Sequence, residues 1–212
     1  MRIGIYGGTF DPFHSGHLAL IVKAFEQNLV DKVVVVPTTV NYYRPDKRYL
    51  FSYDEKVIII KEFLMGINYD VEVDTIEKDK DGSWRSINLV QYFHDKYPND
   101  ELFLMIGEDS FKEFTTWTRY EDILKLAKLI VANRSDHVSK TLKMNDNLKQ
   151  GFDSYRKDSG PDANNTPIPI IEAIPLDMGT EFEECSATNV RNMLIDRLMD
   201  MYLMDKEYFG RT

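Results

Sequence analysis

Apolar runs along the chain alternate with amphipathic stretches, and the period changes from two to about 3.6 where one gives way to the next. Arg2 to Tyr6 (RIGIY) predicts a strand. After a glycine-rich turn, Leu18, Ile21, Val22 and Phe25 take the i, i+3, i+4, i+7 spacing of a helix face. Lys32 to Val36 (KVVVV) predicts a second strand, closed by Pro37, and its unbroken valines suit a strand covered on both faces. Tyr53 to Met65 reads as helix, Asp70 to Ile76 as strand, and Ser86 to Tyr97 as a helix with Leu89, Val90, Phe93 and Tyr97 on one stripe. Glu101 to Ile106 (ELFLMI) is a strand stopped by Gly107, Tyr120 to Leu126 a helix and Lys128 to Ala132 a strand.

From Ser135 to Thr166 the pattern turns polar and predicts a weak helix followed by a surface loop. Pro169 to Ile174 (PIIEAI) returns to strand, and Ala187 onwards is helical. No internal repeat or low-complexity tract interrupts this order. Strands alternating with helices predict an α/β fold: a doubly wound, mainly parallel sheet with helices on both faces and ligand sites at the carboxyl ends of its strands. With 212 residues, 43% of them hydrophobic, a single domain over 1–212 is expected.

Charge narrows the partners. The formal net charge is −9, so a nucleic acid would meet general repulsion, and no strong basic patch offsets it. Any phosphate this chain handles is therefore expected to be small and gripped locally. The single cysteine, Cys185, allows no intramolecular disulfide and no cysteine-based zinc cluster, and fits a reducing compartment. No apolar run approaches the ~20 residues of a membrane helix, and MRIGIYGGTF lacks the apolar stretch of a signal peptide, so a cytoplasmic location and no membrane partner are expected.

The stretch GGTFDPFHSGH, residues 7–17, joins the first strand to the first helix and holds two of the chain's four histidines. Gly7 and Gly8 remove side chains where a phosphate could approach backbone N–H groups, and the following helix offers its positive end. The stretch has neither G-x-G-x-x-G nor a loop ending in Lys-Ser or Lys-Thr, so another group must supply positive charge. With Ser15 as N-cap, His17 falls in the first turn and His14 just before it, both able to face one small volume. Two such donors suit phosphoryl or nucleotidyl transfer, whose catalysis is mostly positioning and charge stabilisation. A metal site is the rival reading, though His-x-x-His is poor helical spacing for zinc and no third ligand is evident. The other two histidines, His94 and His137, read as surface residues.

Late in the chain, CSATNVR (185–191) places Ser186 and Thr188 hydroxyls at a helix start, with Arg191 one turn on and able to reach the same anion. GGTFDPFHSGH closely resembles the ATP-binding signature, ending in (H/T)-x-G-H, of the nucleotidylyltransferase superfamily, and CSATNVR resembles that superfamily's I-S-[SA]-T-x-[IV]-R signature, with Cys185 where isoleucine is common. Residues 107–119 (GEDSFKEFTTWTR) and the following run to Arg134 resemble the G-x-D-S…W…R segment of bacterial nicotinate-nucleotide adenylyltransferases. The resemblance spans Arg2 to about Arg197.

That resemblance implies a Rossmann-like fold and an enzyme that transfers AMP from ATP to nicotinate mononucleotide, giving deamido-NAD and pyrophosphate, with Mg²⁺ accompanying ATP and no metal held by protein side chains. His14 and His17 would be the catalytic pair. ATP would meet Gly7, Gly8, Thr9 and Phe10 on the first segment, Gly107 and Asp109 in the middle, and Ser186, Thr188 and Arg191 on the last, with Asp109 near the adenosine ribose. The mononucleotide would meet Thr39, Lys47, Ser83, Trp84, Arg85, Trp117 and Arg134, with Trp117 stacked on the electron-poor pyridine ring.

Two segments depart from the family pattern. TTVNYYRPDKRYL (38–50) stands where the family shows an N-x-P-P-H-K-like loop, although Arg44, Lys47 and Arg48 still supply cations, and Ser83, Trp84 and Arg85 stand where it shows S-Y-T. Both lie on the substrate side, which leaves nicotinamide mononucleotide or phosphopantetheine as alternative acceptors. A non-catalytic nucleotide sensor and a metal-dependent hydrolase are alternatives of other classes. A homo-oligomer is compatible with the pattern, because an apolar helix face looks the same whether its own sheet or a neighbour covers it.

Overall fold

The computed structural model describes residues 1–39, 49–78, 80, 84–133, 173–178 and 190. Six strands among them form one sheet: β1 (Arg2–Gly8), β2 (Lys32–Pro37), β3 (Val71–Val73), β4 (Glu101–Gly107), β5 (Lys128–Asn133) and β6 (Ala173–Asp177). Their spatial order is β3-β2-β1-β4-β5-β6, and every neighbouring pair is parallel. Each connection must then cross a face of the sheet, and the order reverses direction between β1 and β4, where a Rossmann-like fold opens its ligand crevice.

Alternation along the strands builds a core on each face. Ile3, Ile5, Val34, Val36, Leu102, Leu104, Leu129 and Val131 point to one side, where they meet α3 (Ser86–Lys96), α4 (Glu108–Lys112), a 3₁₀ turn (Phe114–Thr116) and α5 (Tyr120–Leu126). Val33, Val35, Phe103, Met105 and Ile130 point to the other, beneath α1 (Ser15–Glu26) and α2 (Tyr53–Leu64). Val33 to Val36 are all fully buried, as their uninterrupted run predicts. At the sheet centre, a Cβ on Gly4 would clash with the Met105 sulfur, so glycine there lets Met105 cross the strand.

Local details change the predicted pattern at four places. On α1 the buried stripe is Gly16, Ala19, Leu20, Ile21 and Ala24, rotated from the expected Leu18–Phe25 face, because the small residues let the helix approach the sheet closely. β3 ends at Val73, three residues early, since the Asp74 carboxylate turns back to accept the Ile76 N–H at 2.9 Å. β6 runs on through Pro175 to Asp177, beyond the expected end at Ile174. Among the described strands it lies at one edge of the sheet, where a missing N–H leaves no neighbour unpaired. The fourth difference adds elements: α4 and the 3₁₀ turn follow directly on β4, in a stretch too short and mixed to show a period.

Candidate functional site

The turn from β1 to α1 is built around its aromatic residues. Phe10 adopts a positive φ of 45°, a conformation that costs a non-glycine residue about 1–3 kcal/mol, and the Asp11–Pro12 bond is cis. Its ring packs at 5.2–5.3 Å from Tyr6 and Phe13, burying all three. A Cβ on Gly8 would meet that ring at 2.8 Å, so the second glycine makes room for Phe10.

The helix cap falls on His14 rather than on the expected Ser15. His14 has an extended backbone, its Nδ1 accepts the Gly16 N–H at 3.2 Å, and its own N–H donates to Nδ1 of His17 at 3.2 Å. The two histidines thus form a reciprocal capping box, a pattern ordinarily made by serine or threonine with glutamate. In the neutral form each ring therefore carries its proton on Nε2. The ring centroids lie 3.8 Å apart, and Phe10 and Phe13 stand 5.1 and 5.2 Å from the His17 ring. His14 is buried, while His17 reaches a cavity.

Two cavities meet at the carboxyl ends of β1 and β4. The larger, about 480 Å³, is lined by Gly7, Gly8, Phe10, His17, Gly107 and Asp109, together with Gly16, Glu108 and Met178. The smaller, about 230 Å³, is lined by Thr9, Thr38, Glu77, Trp84, Arg85 and Trp117 among others. Gly7, Gly8, Ile106, Ser110 and Trp117 belong to both.

Most of the described site residues expected from sequence converge here. Gly7, Gly8, Phe10, His17, Gly107 and Asp109 share the larger cavity, and Trp84, Arg85 and Trp117 the smaller. Thr9 faces the smaller cavity rather than the larger, and Thr39 stands beside it, with its N–H on the Glu77 carboxylate. Asp109 sits in the first turn of α4, 96% exposed and 3.8 Å from the Lys112 ammonium. Arg85 donates to the Thr118 hydroxyl, and Lys80 lies over the Trp84 ring at 4.6 Å. His94 is partly exposed beside Asp95. Lys47, Ser83, Arg134, Ser186, Thr188 and Arg191 lie outside the described residues, as do Arg44, Arg48, His137 and Cys185; of the 185–191 segment only Val190 is described, and it is helical.

Three buried polar residues at this site escape sequence reasoning. Asp11 accepts the N–H groups of Leu50 at 3.1 Å and Phe51 at 3.0 Å, tying the β1–α1 turn to the approach of α2. Its signal was available: an acid between two buried residues of the motif. Lys56, buried in α2, donates to the Thr38 carbonyl at 3.2 Å and lies over the Tyr49 ring at 4.3 Å. Glu77 lines the smaller cavity, and burial pushes its carboxyl up to about 7 although the Thr38 hydroxyl and Thr39 N–H hold it down. Neither lysine nor glutamate differs in sequence from the solvated charges around it.

Parallel order, crevice and helix-borne histidines together define a Rossmann-like nucleotidyltransferase fold. The solved structure of Plasmodium falciparum nicotinic acid mononucleotide adenylyltransferase complexed with NaAD shares it, with a TM-score of 0.65 over 90% of this chain and 82% of that one at 14% identity. The cytidylyltransferase-like family model matches residues 5–193, and the chain belongs to that family. It is 30% identical over 193 residues, 91% of this chain and 86% of the relative, to a Fusobacterium nucleatum protein named "probable nicotinate-nucleotide adenylyltransferase". An Aliarcobacter butzleri protein of the same name is 30% identical over 145 residues, 68% of this chain and 77% of the relative. No helix among the described residues is long and apolar enough to cross a membrane.

Proposed function

We propose that this chain is a nicotinate-nucleotide adenylyltransferase, joining the AMP moiety of ATP to nicotinate mononucleotide with release of pyrophosphate to give deamido-NAD, a step of NAD biosynthesis. The observation that carries the reading is the pair of cavities with a common rim at Gly7, Gly8, Ile106, Ser110 and Trp117. A reaction between two nucleotides needs two sites whose phosphates meet, and holding them there supplies most of the rate.

ATP is assigned to the larger cavity and the mononucleotide to the smaller. A phosphate oxygen of the mononucleotide, ionised at neutral pH, bonds to the α-phosphorus of ATP. The bond from that phosphorus to the bridging oxygen breaks, and pyrophosphate leaves with its electron pair. No proton has to move, so the site needs donors rather than a base.

His17 is the donor at the cavity wall, its proton placed on Nε2 because Nδ1 accepts the His14 N–H. His14 fixes that ring and contributes the second Nε2–H. Gly7, Gly8 and Thr9 let phosphates approach the backbone, Phe10 and Gly107 shape the nucleotide cavity, and Asp109 accepts ribose hydroxyls. Trp84 and Trp117 flank the pyridine ring, with Arg85 and Thr39 beside it. Lys47, Ser83 and Arg134 on the mononucleotide, and Ser186, Thr188 and Arg191 on the ATP phosphates, complete the proposal from the sequence resemblance.

Mg²⁺ is proposed to arrive with ATP, screening the leaving pyrophosphate. Such an ion keeps waters and phosphate oxygens as its main ligands, and among the described residues no group of three His, Cys, Asp or Glu could hold a metal. A single cytoplasmic domain, with ATP and nicotinate mononucleotide as its partners, completes the reading.

Pyrophosphate release with ATP tests it, against a panel of nicotinate mononucleotide, nicotinamide mononucleotide and phosphopantetheine. Release is expected to be fastest with nicotinate mononucleotide, and release with none of the three overturns the proposal.

A further inference from the structure

Among the described residues lining the smaller cavity, two bear a charge-carrying group, Arg85 and Glu77. Arg85 opens α3 and donates to Thr118, so its guanidinium is held in the cavity wall. Glu77 lies in the turn after β3, only 6% exposed, with its carboxylate accepting from the Thr38 hydroxyl and the Thr39 N–H at the end of β2. Nothing in the adenylyl transfer itself uses this acid. A buried carboxyl next to a site for an anionic ring is costly, which asks what it does there.

We propose that Glu77 is a specificity-determining residue: with Arg85 it sets the charge of the ring pocket, and so how strongly an anionic ring substituent is preferred to a neutral amide. This inference rests on the pyridine mononucleotide occupying the smaller cavity. When Glu77 is protonated, Arg85 carries the charge among the described lining residues, and a ring carboxylate is attracted. When Glu77 is ionised, its field opposes that of Arg85, and the carboxylate loses ground to the amide. At an effective dielectric of about 20, a like charge within one small cavity changes such a ratio by roughly tenfold or more.

Among the described residues, the charged groups near Glu77 are engaged by partners of their own. From α2, Lys56 approaches through the Thr38 carbonyl. From the same turn, Asp74 is engaged by the Ile76 N–H and by Lys96, Lys78 pairs with Asp54, and Lys80 lies over Trp84. β1 and the 3₁₀ turn contribute Gly7, Gly8, Thr9 and Trp117, none of which titrates there. Burial holds the Glu77 carboxyl up at about 7, inside the range from pH 6 to 8.5.

The test is the ratio of kcat/KM for nicotinate over nicotinamide mononucleotide, measured from pH 6 to 8.5 in the parent protein and in Glu77→Gln. Both substrates carry the same phosphate and use the same ATP, so those titrations divide out. If the amide is turned over too slowly, its competitive inhibition constant takes its place. The parent ratio is expected to fall about tenfold as pH rises, with a midpoint near 7, while Glu77→Gln keeps the low-pH ratio throughout. Glutamine retains a carbonyl to accept from Thr38 and Thr39, and a purely structural role would leave both profiles parallel. Parallel or flat profiles overturn the inference, and a flat parent profile does so even if the variant fails to fold. Lack of turnover with either mononucleotide overturns the function and this inference together, whereas turnover with a flat ratio overturns the inference alone.

Discussion

The rings of His14 and His17 stand 3.8 Å apart at the start of α1, each with its Nδ1 accepting a backbone N–H of the same helix turn. That arrangement aims the two rings as Nε2–H donors and removes them as neutral bases through Nδ1. His17→Ala is expected to lower kcat by about 10²–10³, the usual cost of removing a donor to a transition-state anion, while circular dichroism reports an intact fold. A near-normal rate would take these histidines out of the chemistry. His14→Ala should lose activity and also about 1 kcal/mol of stability, because it removes a helix cap.

Gly8 and Phe10 are matched. An added Cβ at Gly8 would press on the Phe10 ring at 2.8 Å, and Phe10 in turn packs edge-on against His17 at 5.1 Å. Gly8→Ala should therefore reduce kcat at least tenfold through a displaced His17, with a lowered melting temperature. Unchanged kinetics would show that the Phe10 packing does not position the histidine.

Asp11 holds Leu50 and Phe51 by their N–H groups, next to the Ser52 cap of α2. Asp11→Ala leaves those donors unpaired and should cost about 2–4 kcal/mol in urea unfolding, whereas Asp11→Asn, which keeps an acceptor, should cost less. Equal losses would place the stability in charge rather than in the hydrogen bonds.

Arg85 and Trp117 line the same cavity, and each is expected to read a different feature of the mononucleotide. Trp117→Ala should raise KM for either pyridine mononucleotide by one to two orders of magnitude, roughly the worth of a lost stacking contact plus its burial. Arg85→Ala should instead narrow the preference for nicotinate over nicotinamide. Initial rates with the two substrates separate these effects, and an unchanged preference would remove Arg85 from reading the ring carboxylate.

Glu77 also links stability to pH. Its carboxyl rises from 4.5 to about 7 on folding, so between those values the native chain binds the extra proton. Its contribution is present in full below pH 4.5 and is lost as pH rises to about 7, by a total on the order of 3 kcal/mol. Glu77→Gln should then gain on the parent protein in melting temperature from pH 5 to pH 8. A constant difference across that range would contradict burial as the cause.

Much of the fold was legible because it depends on local pattern. The valines of β2, the stripe Leu89, Val90 and Phe93 on α3, and the apolar run of β4 declare their period and their burial in the sequence. Where large apolar residues were sparse the reading drifted, as on α1, where three of the five buried residues are glycine or alanine. Asp74 ended β3 by a side-chain bond that composition does not reveal, and Pro175 continued β6 because that strand is at the edge.

By itself the sequence determined the alternation of strands and helices, and the motif of glycines and histidines between the first strand and the first helix. Those features depend on residues near one another along the chain. Tertiary structure alone decided that His14 is the cap, that Thr9 faces the smaller cavity, and that Glu77, in the turn after β3, is buried and lines the cavity that Arg85 also lines. Burial and charge balance are set by segments far apart in sequence, here β2, the turn after β3 and the start of α3. They come into being only when the sheet brings those segments together.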